Sequence, residues 1–136
     1  MSMSGREPLT SEQLRERLVA LCQEKRGEDI VILDARELVD YMDYLVLVSG
    51  RSERQNRAIA DHTYKGLKHA GLLPLSRGGY DGGTWICLDY VDVVLHLFTP
   101  ETRTHYDLEL LWADAKRIDV PEPAPVAETS VADSSE

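Results

Sequence analysis

The chain has 136 residues, a length typical of one domain, and a formal net charge of −9. The acidity is uneven: residues 81–136 hold 12 acidic and 3 basic side chains, whereas residues 1–80 hold 12 of each. Nucleic acids are bound through basic surfaces, so this charge disfavours wrapping of DNA or RNA; it serves either solubility or attraction to a basic partner. No apolar run is long enough to span a membrane and no signal peptide is visible, so we expect a cytoplasmic protein.

Two helices are marked by capping boxes, in which a Ser or Thr hydroxyl and a Gln amide satisfy free N–H groups of the first turn. Residues 10–13 open the first helix, which Gly27 is expected to close, and residues 52–55 open a long second helix that ends at Gly71. The outer face of the second helix is basic: Arg51, Arg54, Arg57, Lys65 and Lys68. Such a face is either simply solvated or contacts RNA phosphates.

Apolar runs predict strands over five segments: residues 30–35, 44–48, 73–77, 84–89 and 92–98. The second of these is apolar on both sides, as in a central strand covered on both faces. Pro74 favours an edge position for the third, because proline cannot donate to a neighbouring strand. A short helical segment ending at Trp112 follows the last strand. The order α-β-β-α-β-β-β-α predicts a single α/β domain, with a mixed sheet of about five strands packed by helices.

The two ends differ in composition from the rest of the chain. Residues 1–8 are expected to form a flexible leader. Residues 121–136 contain 3 prolines and 4 acidic residues without a basic one, and are expected to be a disordered tail. Residues 9–120 remain as the folded domain.

The segment from Trp85 to Phe98 predicts a hairpin with two different faces. With a two-residue loop at Tyr90-Val91, Asp89 would lie opposite Asp92, and alternation would place Ile86, Leu88, Val93, Leu95 and Leu97 on an aliphatic core face. The other side, called the mixed face here, carries Trp85, Cys87, Asp89, Asp92, Val94, His96 and Phe98. Aromatic anchors beside charges are typical of a recognition surface.

Each of these residues also has a plain structural interpretation. Trp85 can be a core residue, His96 a hydrogen-bonded structural histidine, and the aspartates turn residues that accept backbone N–H groups. The histidines and cysteines have no metal-ligand spacing, and Ser49 is not in a nucleophile-elbow context, so the spacing predicts no metal site and no catalytic residue. Cys22 and the cysteine of the mixed face are expected to be reduced thiols.

A set of segments also carries a family resemblance: residues 43–50, 57–61, 85–98 and 106–112, together with Ser52 and Arg103. The last of them reads YDLELLW. In order and spacing they resemble the ribosomal silencing factor family, also called the Iojap family, over residues 10–115. The resemblance implies a nucleotidyltransferase-like fold without enzyme activity or cofactor, and a homodimer when free.

The resemblance further implies binding to the large ribosomal subunit through its protein at the bridge to the small subunit. Joining of the subunits would be blocked and translation repressed when nutrients are scarce. The residues expected to bind the partner are Trp85, Asp89, Tyr90, Asp92, Arg103, Tyr106, Asp107, Leu108 and Leu111. A minor contact with ribosomal RNA is expected through the basic residues of the second helix.

Two departures bear on this interpretation. Nucleotidyltransferases hold metal with a Gly-Ser turn and two acids on the next strand, whereas here Ser49-Gly50 is followed by a helix and then an acid-free segment. The alternative function, a degenerate nucleotidyltransferase with residual nucleotide binding, therefore lacks its carboxylates. Val91 stands where the family commonly has glycine, and valine resists the positive φ of a tight hairpin turn.

Overall fold

A computed structural model describes residues 8–123, which form one six-stranded sheet with helices on both faces. The helices are α1 (Ser11–Glu24), α2 (Glu53–His69), α3 (Pro100–Tyr106) and α4 (Leu108–Leu111). The strands are β1 (Glu28–Asp34), β2 (Tyr44–Ser49), β3 (Ser76–Gly78), β4 (Trp85–Asp89), β5 (Val93–Phe98) and β6 (Lys116–Ile118). The expected leader and tail lie largely outside the described residues.

The strands are arranged in the order β3-β4-β5-β2-β1-β6. The central neighbours β2 and β5 are parallel, and the other neighbouring pairs are antiparallel. The predicted α/β class and the order of elements are confirmed. β6 was not predicted: it has three residues, two of them charged, and it is recognisable only by its pairing with β1.

The two long helices cover one face of the sheet. Leu18 and Cys22 of α1 and Ile59 and Leu67 of α2 are fully buried against apolar side chains of the strands. The aliphatic side of the predicted hairpin lies in this cluster, as alternation required: Ile86, Leu88, Val93, Leu95 and Leu97. The central strand β2 is buried along its whole length, which confirms that it is covered on both faces.

The opposite face has a smaller cover. Leu33, Leu45, Leu47 and Phe98 form a second buried cluster, against which Leu108 and Trp112 pack. Trp112 is therefore half-buried at the edge of this cluster. The cover does not extend over the β4–β5 side of the sheet, where the mixed face remains half-exposed.

Glycine takes the left-handed position at the end of only one of the two long helices, although it was predicted there for both. At the end of α2, Gly71 has φ 89° and follows the prediction. At the end of α1, the left-handed residue is Arg26, with φ 63°, and Gly27 is the residue after it. The N–H groups of Arg26 and Gly27 donate to the carbonyls of Gln23 and Cys22, which completes a Schellman motif. Gly27 serves packing instead, since a Cβ there would lie 2.6 Å from Cγ1 of Val48.

Both cysteines are free thiols, as predicted; Cys22 is buried and Cys87 half-buried. Within residues 8–123, no helix has the length and apolar character needed to cross a membrane. At the start of the expected tail, the carbonyl of Pro121 accepts a hydrogen bond from Nε2 of Gln23 at 2.8 Å. The chain is thus attached to α1 up to this proline.

Candidate functional site

The hairpin that carries the mixed face has a longer loop than predicted. Asp89 pairs with Val94, Cys87 with His96 and Trp85 with Phe98. The pairing is shifted by two residues from the predicted one, and a shift of two leaves every side chain on its own face. Asp92 is the exception, because it lies in the loop. The expectation that two carboxylates stand directly opposite each other is therefore wrong.

Trp85 is the centre of an aromatic cluster on the mixed face. Its ring centroid lies 4.6 Å from that of Tyr106, 5.0 Å from Phe98 and 5.9 Å from His96. The indole N–H donates to Nδ1 of His96 at 3.0 Å. Tyr106, on α3, remains 52% exposed, so the cluster joins the sheet to α3 and still presents aromatic surface to solvent.

The hydrogen bond fixes the state of the histidine. Because Nδ1 of His96 accepts from Trp85, the neutral ring carries its proton on Nε2. Burial lowers the pKa of His96 to about 4, although the charge of Asp89 acts in the opposite direction. Burial, together with the same aspartate, raises the pKa of Cys87 to about 11. At neutral pH the histidine and the thiol of the mixed face are therefore uncharged.

The loop between β4 and β5 is held by hydrogen bonds at both ends. Oδ1 of Asp89 accepts from the N–H of Val91 at 2.7 Å, and the carbonyl of Asp92 accepts from the N–H groups of Asp43 and Tyr44. Val91 has φ 73° and is 52% exposed. Asp92 is exposed, and among the described residues its carboxylate has no hydrogen-bond or ion-pair partner.

Three of the predicted partner-binding residues have most of their side chain within the fold. Tyr90 is 6% exposed and points into the helix-covered cluster, so its side chain presents little surface to a partner, and binding through it stays a prediction. Its position follows from alternation along β4, which places it on the side of Ile86 and Leu88. Leu108 is half-buried against the second cluster, and only part of its side chain reaches the surface.

The third is Arg103, which is 9% exposed. Its guanidinium donates to both carboxylate oxygens of Glu109, at 3.2 and 3.1 Å, and to Oγ of Ser49 at 2.8 Å. All three nitrogens are thus committed within the domain, and the arginine ties α3 and α4 to the end of β2. Arg103 therefore has a role in the fold, and its contact with a partner stays a prediction.

The remaining predicted residues are accessible. Asp107 has φ 49° and separates α3 from α4, and its carboxylate caps α4 by accepting from Leu110 N–H at 3.3 Å. Leu111 is 74% exposed. Leu110, which was not singled out from the sequence, is 70% exposed beside it. The sequence of a four-residue helix is too short to have a periodic pattern from which the solvent-facing leucines could be predicted. The docking candidates that reach solvent are Trp85, Asp89, Asp92, Tyr106, Asp107, Leu108 and Leu111.

A cleft of about 610 Å³ lies beside Ser49, at the end of the parallel strands, where the nucleotidyltransferase alternative would require nucleotide binding. Its ionisable lining consists of Arg103, Asp29, Asp107 and Glu109. The single guanidinium is already paired, so phosphate groups would meet uncompensated carboxylates. Within residues 8–123, no group of three or more His, Cys, Asp or Glu side chains is placed to hold a metal ion. The cleft therefore does not favour a nucleotide.

The basic residues expected to touch RNA are only partly free. Arg51 precedes α2 and pairs with Glu28 at 3.0 Å, and Arg57 donates to the carbonyl of Asp81 at 3.0 Å. Arg54, Lys65 and Lys68 are exposed. Since α2 packs on the other side of the sheet, these three residues lie on the opposite side of the domain from the mixed face.

The fold and the half-open face define an α/β protein with a half-exposed aromatic and acidic surface. The sequence model of the family described as "Ribosomal silencing factor during starvation" matches residues 8–136. A ribosomal silencing factor from Bacillus subtilis is 36% identical over 101 residues, covering 74% of this chain and 86% of the relative. One from Chromobacterium violaceum is 35% identical over 91 residues, covering 67% and 75%. The chain belongs to the ribosomal silencing factor family.

Solved structures agree with this assignment. A crystal structure of a Chromobacterium violaceum protein superposes with a TM-score of 0.75 at 28% identity, covering 88% of this chain and 97% of that one. A Bacillus halodurans protein gives a TM-score of 0.72 at 29% identity, covering 79% and 98%.

A mouse relative named "Mitochondrial assembly of ribosomal large subunit protein 1" is 35% identical over 98 residues, 70% of this chain and 43% of that protein.

Proposed function

We propose that this protein binds the large ribosomal subunit with its mixed face and α3–α4, and sterically blocks the small subunit from joining. Translation would thereby be repressed when nutrients are limiting. The observation that carries the proposal is the half-open aromatic cluster around Trp85, on a member of the silencing factor family. Burying the cluster against a partner would remove from water aromatic surface that the domain itself leaves uncovered.

The partner on the subunit is proposed to be a basic ribosomal protein at the inter-subunit bridge. Asp89 lies on the mixed face near His96, Asp92 is in the loop that follows β4, and Asp107 follows Tyr106 of the cluster. The second half of the chain holds the whole negative excess. Acidic side chains at the rim of an interface attract a basic surface and set its orientation. A minor contact with ribosomal RNA is proposed for Arg54, Lys65 and Lys68. Because these residues lie on the opposite side of the domain from the mixed face, both contacts can form together only if the ribosome surrounds the domain on two sides.

The test is sedimentation with isolated large and small subunits. The wild-type protein is expected to sediment with large subunits alone and to lower the yield of joined ribosomes. The double variant Asp92→Lys/Leu111→Lys changes two exposed side chains and should lose both effects without loss of folding. Asp119→Lys is a control that makes the same charge change as Asp92→Lys, since Asp119 lines a cleft with Arg15 and Glu16 of α1, away from the mixed face.

Several results would contradict the proposal. Sedimentation of the wild-type protein with neither subunit would refute ribosome binding, and unchanged blocking by the folded double variant would refute the location of the surface. Heat released on mixing with Mg²⁺ and nucleoside triphosphates would favour the nucleotidyltransferase alternative instead.

The free protein is proposed to be a homodimer that shares the same surface. The half-exposed aromatic cluster and the two exposed leucines of α4 provide apolar surface that a second copy could cover. Large-subunit binding would then require the dimer to separate. Sedimentation equilibrium should give a dimer that large subunits dissociate. A covalently locked dimer that binds large subunits with full affinity would refute the shared surface.

A further inference from the structure

Val91, at the tip of the β4–β5 loop, has a conformation that its side chain opposes. Four non-glycine residues within residues 8–123 have positive φ. Two of them are aspartates, whose short polar side chain tolerates the left-handed region, and Arg26 ends a helix. Val91, with φ 73°, is the β-branched one, and a β-branched residue in this region is an outlier that stores strain.

The surroundings force this conformation. The N–H of Tyr90 donates to the carbonyl of Val93 at 3.0 Å, and the N–H of Asp92 donates to the carbonyl of Tyr90 at 2.9 Å, which makes Val91 the centre of a γ-turn. Oδ1 of Asp89 holds the N–H of Val91 from one side. The N–H groups of Asp43 and Tyr44 hold the carbonyl of Asp92 from the other.

The side chain of Val91 contributes little to the packing of the fold. It is 52% exposed and belongs to neither buried cluster. Asn or Gly would reduce the strain and keep the turn, because neither is β-branched and both tolerate positive φ better than valine. An apolar side chain held under strain in solvent is therefore unexplained by stability, and residues of this kind cluster at binding sites.

We propose that Val91 is a specificity-determining contact of the docking surface and inserts into a shallow apolar depression, bordered by basic side chains, on a protein of the large subunit. This inference rests on the proposed function. The neighbours of Val91 decide the class of partner. Asp89 and Asp92 flank the valine and repel phosphate, and an alkyl side chain offers no hydrogen bond to an RNA backbone. A protein surface that is apolar at the centre and basic at the rim satisfies both features.

The experiment compares the thermal midpoint and the large-subunit affinity of three variants with those of the wild type. Val91→Gly and Val91→Asn remove the strain together with the alkyl group. Both are expected to raise the midpoint, by about 4 °C for Val91→Asn and less for Val91→Gly, whose unfolded chain gains entropy. Both should weaken large-subunit binding about five- to tenfold, the loss expected for half a buried valine. Ala20→Asn is the control: it removes an exposed apolar side chain from α1, on the other side of the sheet from the mixed face, and should leave affinity unchanged.

The outcomes separate the inference from the proposed function. If the wild type binds large subunits and both Val91 variants bind equally well, the contact is refuted and ribosome binding stands. If the wild type does not bind, the proposed function fails whatever the thermal midpoints are. A midpoint that does not rise in Val91→Asn refutes the strain. Val91→Lys keeps an alkyl stem and adds a positive charge: it should weaken binding to a basic protein, and tighter binding would reveal an RNA phosphate instead and overturn the proposal.

Discussion

Nε1 of Trp85 and Nδ1 of His96 are 3.0 Å apart, on neighbouring strands of the same half-open face. The bond requires a neutral imidazole with a free lone pair on Nδ1. The orientation of the indole is therefore linked to the protonation of a single histidine.

The first prediction is that stability depends on pH through His96. Its pKa is about 4 in the fold and 6.5 in the unfolded chain. Between these values the unfolded chain binds a proton that the folded chain does not, so stability is complete above pH 6.5 and is lost as pH falls towards 4. The loss is about 3 kcal/mol over this window.

Urea unfolding from pH 4 to 7 measures this slope. His96→Asn, which cannot titrate and can offer an amide oxygen to the indole, should show a much smaller slope. An imidazole titration of His96 by NMR with a midpoint near its ordinary value would contradict the burial argument.

The second prediction concerns the buried ion pair. Arg103→Ala leaves Glu109, with 25% of its side chain exposed, with only the exposed guanidinium of Arg117 at 3.9 Å. We expect a loss of about 2–3 kcal/mol in the free energy of unfolding. Arg103→Lys should recover only part of it, because an ammonium cannot bind both carboxylate oxygens and Ser49 together.

Arg51→Ala is the control for this pair. It breaks the Arg51–Glu28 pair, in which both side chains are exposed, and should change stability by less than about 1 kcal/mol. Equal losses for the Arg51 and Arg103 variants, measured by urea unfolding, would show that the buried pair is not structural.

The third prediction separates the core role of Tyr90 from a docking role. Its hydroxyl is buried without a partner among residues 8–123, and burial raises its pKa to about 12. Tyr90→Phe removes only this hydroxyl and should leave stability equal or slightly higher. Tyr90→Ala should cost about 3–5 kcal/mol by opening a cavity.

Large-subunit affinity provides the contrast. Tyr90→Phe is expected to bind like the wild type. A folded Tyr90→Phe protein with strongly reduced affinity would restore the tyrosine to the partner-binding set.

The fourth prediction uses two adjacent residues at the end of α1. Arg26→Gly should stabilise the protein by about 0.5–1 kcal/mol, because glycine takes the left-handed conformation without strain. Gly27→Ala should destabilise it, since the new Cβ would lie 2.6 Å from Val48 and 3.1 Å from the carbonyl oxygen of Cys22. Thermal midpoints that shift in the same direction for both variants would contradict this assignment.

Patterns of hydrophobicity predicted the sheet because they depend on local sequence. The alternation from Trp85 to Phe98 separated the two faces correctly, even with the wrong loop length, because the error was two residues. β6 escaped notice because a three-residue edge strand has no pattern of its own. The division at Asp107 was also missed, since a single left-handed residue inside an apparently helical segment leaves no periodic signal.

The candidate site was predictable where exposure follows from alternation and unpredictable where it depends on long-range partners. Trp85 and Tyr106 were assigned to one surface, and their rings are in contact. Arg103 was assigned to the same surface, but its partners Ser49 and Glu109 are brought to it only by the fold. Residue type alone cannot show whether an arginine is free to bind another molecule or is already hydrogen-bonded within its own domain.

The parallel pairing of β2 with β5 has a consequence for synthesis of the chain. Tyr44 stands beside Val93, so the central pair closes only after α2, β3 and β4 have been made. Loop closure over such a distance slows folding, and β1 gains its second neighbour, β6, later still. A nascent chain that ends before β5 has neither the strand that carries His96 nor a completed mixed face. A growing polypeptide therefore cannot present a complete mixed face until nearly the whole domain has emerged.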